Sequence, residues 1–229
     1  KSKTNKFLEI AEKHKKDKKK EKFSGVFSDY LEMIEEDKKI AMLAHKRLYT
    51  TILGEGITRM SEEDTRCSNL FGGESLKTYD YFQTKFFGME RSLAKIMRYL
   101  HSASMKGEES KQVLLLLGPV GAGKSALVEH IKRALENSGP LYAIDGCPIN
   151  EEPLHLVPRS LRDKFQELYG VKIEGDLCPV CRHRLLEEYG GDYLNFPVKE
   201  TTFSIRGRRG VGVVPPMDAN TQDTSILVG

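Results

Sequence analysis

The chain is 229 residues long, 39% hydrophobic and 30% charged, enough apolar content for one large domain or a domain with an appendage. A formal net charge of +3 is too small to imply a nucleic-acid partner. No apolar run approaches the roughly 18 residues that cross a membrane, no signal-peptide pattern is present, and four cysteines with one close pair make no disulfide framework, which together fit a reducing cytoplasm. The chain opens on Lys1 rather than Met, so its amino terminus reads as trimmed.

Residues 1–22 carry ten lysines against four acids. Such a run reads as a solvated or frayed helix, with contact to nucleic acid or acidic lipid as the alternative. From 26 to 53, Phe27, Leu31, Ile34, Ile40, Leu43, Ala44, Leu48 and Ile52 recur at helical steps, and Gly54 and Gly56 end the pattern. This stretch is expected to pack or oligomerise without chemistry of its own. Residues 54–80, with Gly72-Gly73 and no long period, read mainly as a connection. Phe86-Phe87-Gly88-Met89 then leads into a second helix marked by Leu93, Ile96, Met97 and Leu100. Phe87, Gly88 and Met89 are candidates to hold a nucleotide base, while plain core packing of Phe87 and Met89 stays equally open.

After a polar loop at Lys106–Lys111, the unbroken apolar run Val113–Leu117 predicts a buried parallel strand. It feeds Gly118-Pro119-Val120-Gly121-Ala122-Gly123-Lys124-Ser125, which fits G-x-x-x-x-G-K-[ST], the phosphate-binding P-loop or Walker A motif. Leu127, Ile131 and Leu135 continue it as a helix. Strand, glycine loop and helix start together place backbone N–H groups and the positive end of a helix dipole around an anion. The residues assigned to the nucleotide are Gly118, Pro119, Val120, Gly121, Ala122, Gly123, Lys124, Ser125 and Ala126. Lys124 carries the catalytic role through its charge on the β- and γ-phosphates, and the Ser125 hydroxyl ligates Mg²⁺. The chain is therefore expected to bind ATP or another nucleoside triphosphate with Mg²⁺.

Leu141–Ile144 reads as a strand ending at Asp145, an early acid of the kind that acts on substrate in nucleoside-kinase-like P-loop proteins. Leu161–Tyr169 reads as a helix stopped by Gly170, Arg182–Tyr189 as another stopped by Gly190-Gly191, and Val198–Ile205 as a strand. Arg206, Arg208 and Arg209 lie in a glycine-rich turn that suits a phosphate, a substrate or a neighbouring subunit, or simply water. Further acids are Asp218 and Asp223, and no N/T-K-x-D motif follows the P-loop, which argues against a GTPase. An apolar strand ending in the Mg²⁺-binding acid is missing after Asp145, so the chain reads as cut before its catalytic half. Cys178-Pro179-Val180-Cys181 has the spacing of two zinc ligands, with Cys147, His155 and His183 as further ligands if the fold gathers them. A redox pair or two ordinary buried thiols are the other readings.

Several segments resemble the AAA+ module of the PrkA family of bacterial serine protein kinases: Phe86–Glu90, Gly118–Ser125, Cys147–His155, Cys178–Arg182, Leu185–Asp192 and Asn220–Asp223. The helical region from Phe27 to Gly56 is similar to that family's N-terminal segment. The resemblance implies an α/β P-loop NTPase of AAA+ type, a truncated three-layer core over residues 76–229, with an N-terminal helical module over 1–75. It implies an ATP-dependent serine protein kinase linked to stress or sporulation, with a protein substrate and a homo-oligomeric ring, a hexamer being common. A remodelling or protease-type ATPase, or a nucleotide-gated assembly module without turnover, are the rival readings. The family's later Mg²⁺ acid, sensors and arginine finger have no counterpart here, so no kinase chemistry is assigned to individual residues.

Overall fold

The computed structural model describes residues 22–60 and 76–214, with 5, 7 and 8 near the amino terminus. The Lys-rich start, Gly72-Gly73, Asp218 and Asp223 lie outside them. The helix expected over 26–53 is three pieces. Strand β1 (Ser24–Val26) runs into α1 (Phe27–Glu36), a 3-10 turn follows at Lys38–Ala41, and α2 spans Ala44–Gly54. The break falls at Asp37, where Oδ1 accepts the Lys39 N–H at 2.9 Å and competes with the helical ladder. The expected connection after Gly54 contains two short strands, β2 (Ile57–Arg59) and β3 (Lys77–Tyr79), paired antiparallel. One turn, α3 (Asp80–Gln83), precedes the predicted amphipathic helix, α4 (Glu90–Ser104), whose Leu93, Ile96, Met97 and Leu100 are buried.

The expected strand at Val113–Leu117 is not formed. These residues form no strand, and Val113, Leu115 and Leu117 are 92%, 72% and 85% exposed. A strand needs neighbours for its N–H and C=O groups, and among the described residues every strand pair is antiparallel and none includes this segment. Only Leu116 packs against a core. The P-loop helix follows as α5 (Lys124–Glu136), then β4 (Leu141–Ile144). The Leu161–Tyr169 helix is a 3-10 turn at Arg159–Leu161 continued by α6 (Arg162–Tyr169), closed by Gly170 at φ 70°. Helix α7 (Pro179–Glu187) starts earlier than expected, because Cys178 caps it through its sulfur and Pro179 suits its first turn. The last strand is β5 (Pro197–Thr201).

The described residues fall into two compact units. One draws on Lys1–Ile40 and Pro140–Thr202, the other on Ala41–Gly139 and Phe203–Gly229, so residues on both sides of position 75 enter each. In the first unit β5 lies between β1 and β4, antiparallel to both. Helix α1 turns Phe27, Tyr30 and Ile34 inward, and its first two N–H groups bond the carbonyls of Phe196 and Leu194 at 2.9 and 3.0 Å. Tyr30 meets Tyr142 of β4 at 5.4 Å between ring centroids. In the second unit α2, α4 and α5 share a core of Leu48, Ile52, Phe82, Leu93, Met97 and Leu127. Among the described residues no helix is long and apolar enough to cross a membrane.

An ion-pair latch closes the loop after α6. Asp176 accepts from Arg159 through both carboxylate oxygens, the Nε bond being 3.0 Å, and from Arg162 Nη2 at 3.2 Å. The hydrogen bonds from Arg159 hold the Asp176 carboxyl at about 2, below its ordinary 3.8. A carboxylate depressed on folding stabilises the fold above its unfolded value, and that contribution is lost as the pH falls through the folded one. Stability should therefore drop from about pH 4 towards pH 2 more steeply in the native chain than in Asp176→Asn, as read by unfolding midpoints across that range. Equal slopes would show that the latch carries no weight.

Candidate functional site

The glycine loop lies in the second unit, and its shape follows from two positions. Gly121 and Gly123 adopt φ of 83° and 77°, the left-handed region in which a side chain is strained. Gly123 is the residue from which α5 springs, and no side chain caps that helix. The first ladder bond closes from the Leu127 N–H to the Gly123 carbonyl at 2.9 Å, so the amides of Lys124, Ser125 and Ala126 stand at the open end. Lys124 folds over the loop, its Nζ donating to the carbonyls of Gly118 and Pro119 at 2.7 Å each. Val120, Ser125 and Ala126 are exposed. The arrangement combines uncapped helix amides, one ammonium group and one accessible hydroxyl, a set suited to a polyanion.

Of the three residues proposed for a base, Met89 lies nearest the loop, its Sδ 4.0 Å from where a side chain on Gly123 would begin. Phe87 is 76% exposed, and Gly88 takes a left-handed φ of 73° just before Met89, where α4 opens. Phe87 also borders a hollow with Tyr79, Phe82, Phe86, Glu90 and Leu93. The core residue at this start is Phe86, not Phe87. The arginine turn folds as a tight hairpin closed by Ser204 and Arg209, and the Glu136 carboxylate at the end of α5 accepts the Ile205 N–H at 2.7 Å. Arg206 and Arg208 are exposed there.

Helix α5 is tied down by a reciprocal exchange. Tyr81 donates its hydroxyl to the His130 carbonyl at 2.7 Å, and His130 Nε2 lies 2.8 Å from the Tyr81 carbonyl, the rings stacked at 4.3 Å. Phe82 and Phe86 flank the same imidazole.

In the first unit, Asp145 is committed to local structure. Its Oδ1 meets Lys199 Nζ at 2.7 Å and accepts the Gly146 N–H at 2.8 Å, and the Lys199 hydrogen bond lowers its carboxyl below the ordinary range. Beyond it the fold gathers Cys147, Glu151, Cys178 and Cys181, with one ligating atom from each within 4.8 Å of the others. Sequence spacing named Cys147 as a partner for the pair but missed Glu151. His183, also named, is exposed and outside the cluster. His155 reaches it indirectly, with Nδ1 3.1 Å from Glu151 Oε1. The available signal was the regular interval Cys147, Glu151, His155. The three cysteines are free thiols. Burial raises Cys178 and raises Cys181 further, where the Cys147 and Cys178 thiols add to it.

The family model described as PrkA AAA domain matches residues 25–229. The chain is 40% identical over 228 residues to the "ATP-dependent protease PrkA" of Bacillus subtilis (strain 168), covering 97% of this chain and 34% of that protein. It is 33% identical over 208 residues to the "Serine/threonine kinase YeaG" of Escherichia coli (strain K12), covering 88% of this chain and 32% of that protein. The chain thus spans about a third of the length of these curated relatives. No solved structure matches.

The anchoring of α5 can be tested without nucleotide. Tyr81→Phe removes one part-buried hydrogen bond and should cost about 0.5–1.5 kcal/mol in urea unfolding. An unchanged midpoint would mean that the Tyr81 hydroxyl does not hold the helix.

Proposed function

The chain belongs to the PrkA AAA domain family, and from that membership we propose that it is the Mg-ATP-binding module of a PrkA-type serine protein kinase. The observation that carries this is the open end of α5, uncapped and covered by Lys124. A triphosphate entering the loop takes hydrogen bonds from the amides at Lys124, Ser125 and Ala126, where the helix dipole favours negative charge. Lys124 exchanges two carbonyl acceptors for phosphate oxygens, a change from neutral to charged partners that strengthens each bond. The exposed Ser125 hydroxyl would hold Mg²⁺, which when bound neutralises phosphate charge. Gly118, Pro119, Val120, Gly121, Ala122 and Gly123 form the wall, and Phe87, Gly88 and Met89 are the base side. In this reading residues 76–229 are the three-layer AAA+ core and residues 1–75 its N-terminal module. Such modules work as homo-oligomeric rings in the cytoplasm, acting on protein.

A second reading is favoured by one observation: the relative at 40% identity is named an ATP-dependent protease. In that case the same loop would drive protein handling rather than phosphoryl transfer. In either reading Asp145 is paired through Oδ1 with Lys199 and the Gly146 N–H, and no Mg²⁺ role is assigned to it.

Calorimetry on this chain should show Lys124→Ala weakening ATP binding about tenfold to a hundredfold, the loss of charge-assisted bonds worth about 1.5–3 kcal/mol, with folding retained. Equal affinity in the variant would overturn the loop assignment. The same substitution in the longer protein should abolish transfer of labelled γ-phosphate to protein. ATP-dependent substrate cleavage without such transfer would select the protease reading.

A further inference from the structure

Four potential ligands converge in the first unit at a place that nucleotide binding does not use. We propose that Cys147, Cys178, Cys181 and Glu151 form a closed tetrahedral zinc site that clasps the loop after β4 to the start of α7. The ligating atoms already lie within 4.8 Å of one another. Zinc–sulfur bonds of about 2.3 Å set the edges of a tetrahedron at about 3.8 Å, so movements of about 1 Å close the set. Three soft sulfurs select zinc over magnesium or calcium.

The backbone is arranged for sulfur that carries charge. The Cys181 N–H points at Cys178 Sγ at 3.3 Å, and the Glu151 N–H points at Cys147 Sγ at 3.4 Å. Cys178 and Cys181 occupy the cap and first turn of a nine-residue helix, where the dipole also favours negative charge. The carboxylate of Glu151 divides its oxygens. Oε1 accepts the Cys178 N–H at 2.7 Å and faces His155 Nδ1 at 3.1 Å, while Oε2 turns to Cys147 Sγ at 4.0 Å. One oxygen is thus held by protein and the other is presented to the sulfurs.

His155 braces that carboxylate from outside, its Nε2 lying 2.9 Å from the Glu174 carbonyl. A side chain on Gly175 would meet the imidazole at 2.9 Å, so only glycine lets this loop close over the ring. The result is the layered build of a metal centre, ligand carboxylate then histidine then backbone. Cys147, Cys181 and Glu151 are buried, which leaves no open coordination position for a substrate, and the role is structural.

The test is elemental analysis of the chain purified under reducing conditions without chelator. About one zinc per chain is expected, and the metal-stripped chain should take up Co²⁺ with the intense visible absorption of a tetrahedral thiolate site. The native chain binding neither metal above about a tenth of an equivalent would overturn the proposal, as would iron in place of zinc. Cys178→Ser with Cys181→Ser should lose the metal, whereas Lys124→Ala should keep it in full, separating this site from the nucleotide reading. Glu151→Gln should change the cobalt spectrum. An unchanged spectrum there, with His155→Ala altering it, would overturn Glu151 as the fourth ligand.

Discussion

A helix that begins on a left-handed residue cannot be capped in the usual way, and in this chain that constraint sits at Gly123. With φ at 77° there and 83° at Gly121, the backbone reverses just before α5, leaving the first amides of the helix without a side-chain acceptor. Nothing in the loop cancels the positive end of the helix dipole, and Lys124 adds a further positive charge. The loop keeps its shape by giving two carbonyls, those of Gly118 and Pro119, to that same lysine. Its position depends in turn on how firmly α5 is held, through Leu127 and Ala134 in the core and through the Tyr81–His130 exchange. Phosphate recognition is thus a consequence of where one helix starts and what fixes it.

The other unit follows a different logic. Its sheet is built outward from β5, which gives one edge to β1 and the other to β4. The chain leaving β4 passes through Asp145, Cys147, Glu151 and His155, and three of these meet a partner distant in sequence. Asp145 meets Lys199, Glu151 meets Cys178, and His155 meets Glu174. A short-stranded sheet buries little on its own, so polar and sulfur contacts of this kind carry much of the definition of the loop.

Local regularities were legible in the sequence. The apolar spacing of Leu93, Ile96, Met97 and Leu100 predicted α4, and the P-loop pattern located both the glycine turn and the start of α5. Non-local and competing effects were not legible. Asp37 broke a long helical pattern because its side chain captured the Lys39 amide, a contest that periodicity does not register. Val113–Leu117 had the composition of a buried strand, yet burial depends on neighbouring strands, and among the described residues none pairs with it. Glu151 was missed beside the cysteines because the interval Cys147, Glu151, His155 gains a ligand meaning only once the chain folds back on Cys178 and Cys181. The PrkA resemblance, carried by motif segments, is matched by the family model over residues 25–229.

The central claim is that the open end of α5 receives the phosphates of Mg-ATP. Hydrogen–deuterium exchange of the native chain, read at the amides of 118–126 with and without Mg-ATP, tests it most directly. The account predicts that saturating nucleotide slows exchange there about tenfold or more, while leaving the β1–β5–β4 sheet unchanged. Exchange in the loop that stays the same at saturating Mg-ATP would contradict it.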